Sequence, residues 1–175
     1  MKILILGGGG REHALAWAVS QNPKCEDLFC APGNAGIKKL ATCVALNILD
    51  KSAVVDFCKK NQISFVIIGP EAPLEIGIAD ALESEEILTF GPSAKGSLLE
   101  SSKAFTKEVC RLGKIPTAPS QVFNKEHEAI DFINASNLPI VIKADGLASG
   151  KGVTIATSRE SAFVAIKDLF SGKFG

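Results

Sequence analysis

The sequence predicts an α/β chain in which a doubly wound parallel sheet is followed by a small α+β unit built around a glycine-rich hairpin. Three observations carry this. Apolar, β-branched runs alternate with segments of helical periodicity through the first half of the chain, the pattern of a parallel sheet covered by helices. Several of those runs end in glycine- and proline-rich loops, and ligands of such sheets sit beyond the carboxyl ends of the strands. Finally, residues 140–156 read as strand, glycine loop, strand.

In order, Lys2–Leu6 is a continuous apolar strand, as a sheet buried on both faces requires. Gly7–Gly10 follows, then a helix over Arg11–Ser20 whose nearly all-round apolar character predicts deep burial, with Trp17 in the core. The helix start offers free N–H groups and a positive dipole end to an anion, and Arg11 adds a bidentate phosphate donor. His13 reads equally as a helix-start residue without chemistry. A dinucleotide fingerprint needs glycines at 7, 9 and 12 and an acid after the next strand. Position 12 is Glu, and the next strand, Leu28–Ala31, ends on Pro32–Gly36. A single phosphate with a sugar fits better.

The alternation continues with a strand at Cys43–Leu46, a helix at Lys51–Asn61 with Val54, Phe57 and Cys58 on one face, and a buried strand at Ser64–Gly69. A helix over Leu74–Glu85 and a strand over Ile87–Phe90 complete the sheet. Loops at Gly7–Gly10, Pro32–Gly36 and Gly69–Pro73 are expected to converge on one crevice, where Glu71 can accept hydrogen bonds from sugar hydroxyls or an amine. Residues 93–113 read as one long helix or two short ones, with Ser102 or Ser101 as an N-cap. The second unit is expected to hold a strand at Gln121–Phe123, a helix at Lys125–Ser136, the strands Ile140–Ala144 and Val153–Ala156, and a helix at Glu160–Ser171 carrying Phe163, Ile166 and Phe170 on one face.

Between the last two strands lie Gly146, Gly150 and Gly152 with Ser149 and Lys151. Glycines let backbone N–H groups approach an anion. Lys143 at the strand end and Lys151 in the loop supply point charges for a polyphosphate. A P-loop is excluded: the spacing is one residue short, Gly152 stands where Ser or Thr must be, and Val153 onward is β-prone rather than helical. The alternative is an ordinary surface hairpin.

Nineteen basic and nineteen acidic residues balance, with no basic block, which argues against nucleic acid as a partner. No apolar run approaches the ~20 residues of a membrane span, and the start of the chain is too short for a signal peptide. A cytoplasmic protein without a membrane partner is expected. The five cysteines form no C-x-x-C pair and read as small apolar residues.

Six stretches carry a resemblance: Gly8–Ala14, Ala31–Gly36, Gly69–Leu74, Gly91–Pro92, Ser102–Lys107 and Ile140–Val153. In this order they resemble the phosphoribosylamine–glycine ligases (glycinamide ribonucleotide synthetases), ATP-grasp enzymes of purine synthesis. One departure is Gly8, where the family often has Asn. The resemblance implies a Rossmann-like substrate domain at 1–101, the start of the ATP-grasp domain with a linker at 102–120, and a partial, incomplete α+β lid subdomain at 121–175. It implies an ATP-dependent C–N ligase joining glycine to 5-phosphoribosylamine through a glycyl phosphate, with ATP and Mg2+ (or Mn2+) as cofactors. Residues implied for ATP are Lys103, Lys143, Asp145, Gly146, Ser149, Gly150, Lys151 and Gly152. Those implied for phosphoribosylamine are Gly9, Gly10, Arg11, Asn34 and Glu71. Family members are longer, so metal ligands are expected beyond Gly175, no catalytic residue is assigned within the chain, and the chain alone is expected to be inactive. Fusion to, or joint action with, other purine-pathway enzymes is compatible with the family. The alternatives are a sugar-phosphate or nucleotide-binding module without catalysis, a nicotinamide-dependent oxidoreductase domain and an ATP-grasp carboxylase.

Overall fold

The computed structural model describes residues 1–147 and 152–173. The chain forms two compact units, Met1–Leu98 and Leu99–Gly175.

In the first unit, strands β1 (Lys2–Gly7), β2 (Asp27–Pro32), β3 (Thr42–Cys43), β4 (Phe65–Ile68) and β5 (Leu88–Phe90) form one sheet in the order β3-β2-β1-β4-β5. Every pairing is parallel, with Ile5 opposite Cys30 on one side and Ile67 on the other. The order reverses between β1 and β4, and such a switch point opens a crevice beyond the strand ends. The alternation of β1 divides its side chains between two cores. Leu4 and Leu6 join Val66 and Ile68 beneath α2 (Lys51–Asn61) and α4 (Ile78–Glu83), contributed by Val54, Cys58, Ile78 and Leu82. Ile3 and Ile5 join Cys30 and Ile67 beneath α1 (Gly10–Ser20), through Ala16. Each fully buried Leu or Ile contributes about 1.5–3 kcal/mol.

Three expectations fail here. Within α1 only Glu12 and Ala16 are buried, and Trp17 is 60% exposed rather than in the core. The helix meets the sheet along a narrow stripe, Ala16 flanked by the partly buried Leu15 and Val19. The expected helix over Leu74–Glu85 is two pieces, α3 (Glu71–Glu75) and α4, because Gly77 between them takes φ +82° and opens the second. The strand expected to reach Leu46 stops at Cys43.

Leu98 and Leu99 fall within α5 (Ala94–Ser101), and α6 (Lys103–Leu112) follows, so the two-helix alternative holds. In the second unit β6 (Ile140–Lys143) and β7 (Val153–Ala156) form an antiparallel hairpin pairing Ile140 with Ala156 and Lys143 with Val153. Its inner face packs on α7 (Glu126–Ala135) and α8 (Arg159–Phe170) through Ala129, Ile133, Ala156, Ala162 and Ile166, with Phe163 partly buried against them. Phe170 is exposed, contrary to expectation. The expected strand Gln121–Phe123 is irregular: Val122 is exposed, while Phe123 packs against Phe132 with ring centroids 5.2 Å apart. Among the described residues, no helix is long and apolar enough to cross a membrane.

Candidate functional site

The first cluster lies at the carboxyl edge of the five-stranded sheet. The ladder extends past the strands: Gly33 N–H donates to Gly7 O (3.1 Å) and Gly69 N–H donates to Leu6 O (3.1 Å). The loops after β2, β1 and β4 therefore stand side by side. Asn34 ties two of them together. Its Nδ2 donates to Gly8 O (2.9 Å), and its Oδ1 accepts from the amides of Gly36 (2.8 Å) and Ile37 (2.9 Å). The loops are so close that a Cβ on Gly8 would meet Gly33 O at 2.5 Å. His13 fills the space beside Gly36, where an added Cβ would lie 2.5 Å from its ring.

Arg11 and Glu71 bridge the switch point. Arg11 Nη1 and Nη2 both donate to Glu71 Oε1, at 3.0 and 3.1 Å. The hydrogen bond to Glu71, then its charge, raises the Arg11 pKa. Glu71 opens α3, and its own backbone N–H, followed by Arg11, holds its carboxyl below the ordinary value of 4.5. Both side chains are substantially exposed, so this charged pair is open to solvent at the carboxyl edge. Glu12, one residue on, is buried at 4% exposure, and its Oε2 accepts from Gly9 N–H at 2.6 Å. Its position in the sequence announces a missing glycine; the readable signal is a Glu at the third helical position, where it can reach back to the helix's first amides.

The second cluster lies inside the second unit. Ser102 caps α6, its Oγ accepting from Phe105 N–H (3.1 Å). Asp145, just past β6, adds a carboxylate to the same helix start, accepting from the amides of Lys103 (2.6 Å) and Ala104 (3.4 Å) and from Ser102 Oγ (3.2 Å). Lys103 Nζ reaches back to Gly146 O at 2.9 Å. Lys103, Asp145 and Gly146 are thus brought together, with Asp145 engaged as a cap. Lys143 lies on the outer face of the hairpin opposite Val153, beside the Val141–Ile155 pair, and all four are exposed. Gly152 is described, and its carbonyl accepts from Ala144 N–H (2.8 Å). Ser149, Gly150 and Lys151 lie outside the described residues.

Among the described residues, no three His, Cys, Asp or Glu side chains group to hold a metal ion. The carboxylates of the described residues do not by themselves fit a magnesium ion. Cys30 and Cys58 are ordinary core thiols, each pushed up to about 12 by burial.

A parallel sheet of this order with a switch point at its centre, followed by a small unit of helices and an antiparallel hairpin, defines an α/β chain. A solved phosphoribosylamine–glycine ligase from Thermotoga maritima is similar over 99% of this chain and 40% of that one, with TM-score 0.78 and 31% identity. N5-carboxyaminoimidazole ribonucleotide synthetase from Thermus thermophilus shares the fold, with TM-score 0.72 and 22% identity over 95% of this chain and 44% of that one. The phosphoribosylglycinamide synthetase N-domain model matches residues 1–100, and that family's ATP-grasp (A) domain model matches 101–175. The chain belongs to the phosphoribosylglycinamide synthetase family. Relatives named phosphoribosylamine–glycine ligase from Agrobacterium fabrum and Rhizobium meliloti are 51% and 50% identical over the whole chain, which spans 41% of their length.

Proposed function

We propose that this chain supplies the phosphoribosylamine-binding unit and part of the ATP-binding unit of a phosphoribosylamine–glycine ligase. In that reaction ATP phosphorylates the glycine carboxylate, the amine of 5-phosphoribosylamine attacks the glycyl phosphate, and glycinamide ribonucleotide, ADP and phosphate leave. The observation that carries the reading is the Arg11–Glu71 pair at the switch point, 3.0 Å apart. Arg11, with the amide of Gly10, is suited to the sugar phosphate, whereas the expected Gly9 amide is already engaged by Glu12. Glu71, held ionised, is suited to an amine or hydroxyl. Asn34, with both ends of its side chain engaged by backbone, serves by fixing the loops.

In the second unit, Lys103 and Lys143 are suited to phosphates. The Asp145–Gly152 loop, including Ser149, Gly150 and Lys151, is proposed to bind ATP, a reading supported by the match of residues 101–175 to the family's ATP-grasp domain model. Magnesium belongs to the whole enzyme's chemistry, as does the cytoplasmic setting of purine synthesis.

Two charge-assisted contacts of ~1.5–3 kcal/mol each supply roughly 3–6 kcal/mol, short of the ~8 kcal/mol of micromolar binding. The chain alone is therefore expected to bind ATP near millimolar and not to turn over. Calorimetry with ribose 5-phosphate tests the first unit. Arg11→Ala should weaken binding by about tenfold or more, the scale of one lost charge-assisted contact. Equal affinity in a folded variant would overturn the assignment.

A further inference from the structure

The positive end of α1 already holds an anion. Glu12 is 4% exposed, yet it sits among backbone amides at the start of an 11-residue helix. Oε2 takes Gly9 N–H at 2.6 Å. Oε1 is buried without a hydrogen bond; Arg11 Nε stands 3.4 Å away, an ion-pair distance lacking hydrogen-bond alignment. Glycines on two loops leave room for this carboxylate. A Cβ on Gly7 would lie 2.6 Å from Glu12 Cγ, one on Gly9 would lie 3.0 Å from Oε2, and one on Gly69 would overlap Oε1. A buried carboxylate persists only where charge and hydrogen bonding offset its lost hydration. Here the helix dipole, the Gly9 amide and Arg11 do so.

In dinucleotide-binding sheets, the same place at the first strand-to-helix turn receives a pyrophosphate on helix amides, and a third glycine stands where this chain has Glu12. We infer that Glu12 is a specificity-determining residue: its carboxylate occupies the pyrophosphate seat of α1, so the crevice refuses pyrophosphate-bridged ligands at Gly9 and leaves Arg11 as the group available to a single phosphate. The exclusion has two parts, volume and like charge. It stands whether or not the sugar phosphate proposed above binds at Arg11.

The test is amide NMR on the 175-residue chain with inorganic pyrophosphate as the probe, and three readings decide it. In the wild type, pyrophosphate should leave the Gly9 amide at its ligand-free position. In Glu12→Gln, which keeps the volume and removes the charge, the Gly9 amide proton should move upfield as its charge-assisted bond weakens. In Glu12→Ala, the Gly9 and Gly10 amides should shift saturably, with pyrophosphate affinity raised by about tenfold or more on removal of a like charge. A saturable Gly9 shift in the wild type, an unmoved Gly9 amide in Glu12→Gln, or a folded Glu12→Ala variant without gained binding would each overturn the inference. If Glu12→Ala does not fold, the first two readings still decide it. Loss of ribose 5-phosphate binding alone would bear on the proposed function and leave these readings intact.

Discussion

The two units use the same strand-forming residues and treat them differently. In the first, β1 sends Leu4 and Leu6 to one core and Ile3 and Ile5 to another, all at 8% exposure or less. In the second, the hairpin buries one face only, and Val141, Val153 and Ile155 on the other remain exposed, the last at 69%. Side-chain type makes a strand in both cases; the number of layers packed on it sets how firmly it is held. The first unit is a scaffold that fixes loops at its rim, and the second presents an apolar strip with a lysine on it.

The largest expected effect follows from that difference. Amides of Leu4, Ile5 and Leu6 should exchange with solvent at least about a hundredfold more slowly than those of Val141 and Ile155, since protection follows local burial. Similar rates would erase the contrast. Next, Leu6→Ala should cost about 2–5 kcal/mol in unfolding of the first unit, as expected for a fully buried Leu. Denaturant melts followed at Cys58 should detect it, because this buried thiol, with its pKa near 12, reacts with alkylating agents only when that unit opens. Asp145→Ala should cost about 0.5–2 kcal/mol through the lost cap on α6. That cost should appear in exchange at α6 and leave β1 unchanged. The smallest effect belongs to the exposed Arg11–Glu71 pair. Glu71→Gln should change stability by less than about 1 kcal/mol. Because the folded carboxyl titrates below 4.5, this contribution is full above 4.5 and disappears as pH falls through the lowered value.

The sheet could be read from the sequence because each central strand is an apolar run closed by a glycine or proline loop. The hairpin could be read because Ile140–Lys143 and Val153–Ala156 flank a glycine segment. What could not be read depends on neighbours. Trp17 looks like core in an apolar helix, and only the narrowness of the α1–sheet contact exposes it. Phe123 has the apolar character of a strand residue, yet it spends that character on Phe132 instead of on a ladder. In the site, Arg11 and Glu71 were legible as polar residues at strand ends, whereas their pairing came only with the strand order. Glu12 was legible as a departure from a glycine pattern but not as a buried carboxylate. Asn34 was legible as a loop residue, and its two-sided tie between loops required coordinates.

The most direct measurement is a map of amide shifts across the whole chain on titration with ribose 5-phosphate. Saturable shifts at Gly10, Arg11, Asn34 and Glu71, with the hairpin strands unmoved, are the result expected of a sugar-phosphate crevice at the switch point. Shifts confined to the amino edge of the sheet around Lys2, Asp27 and Ser64, or to Val141–Lys143, would contradict it.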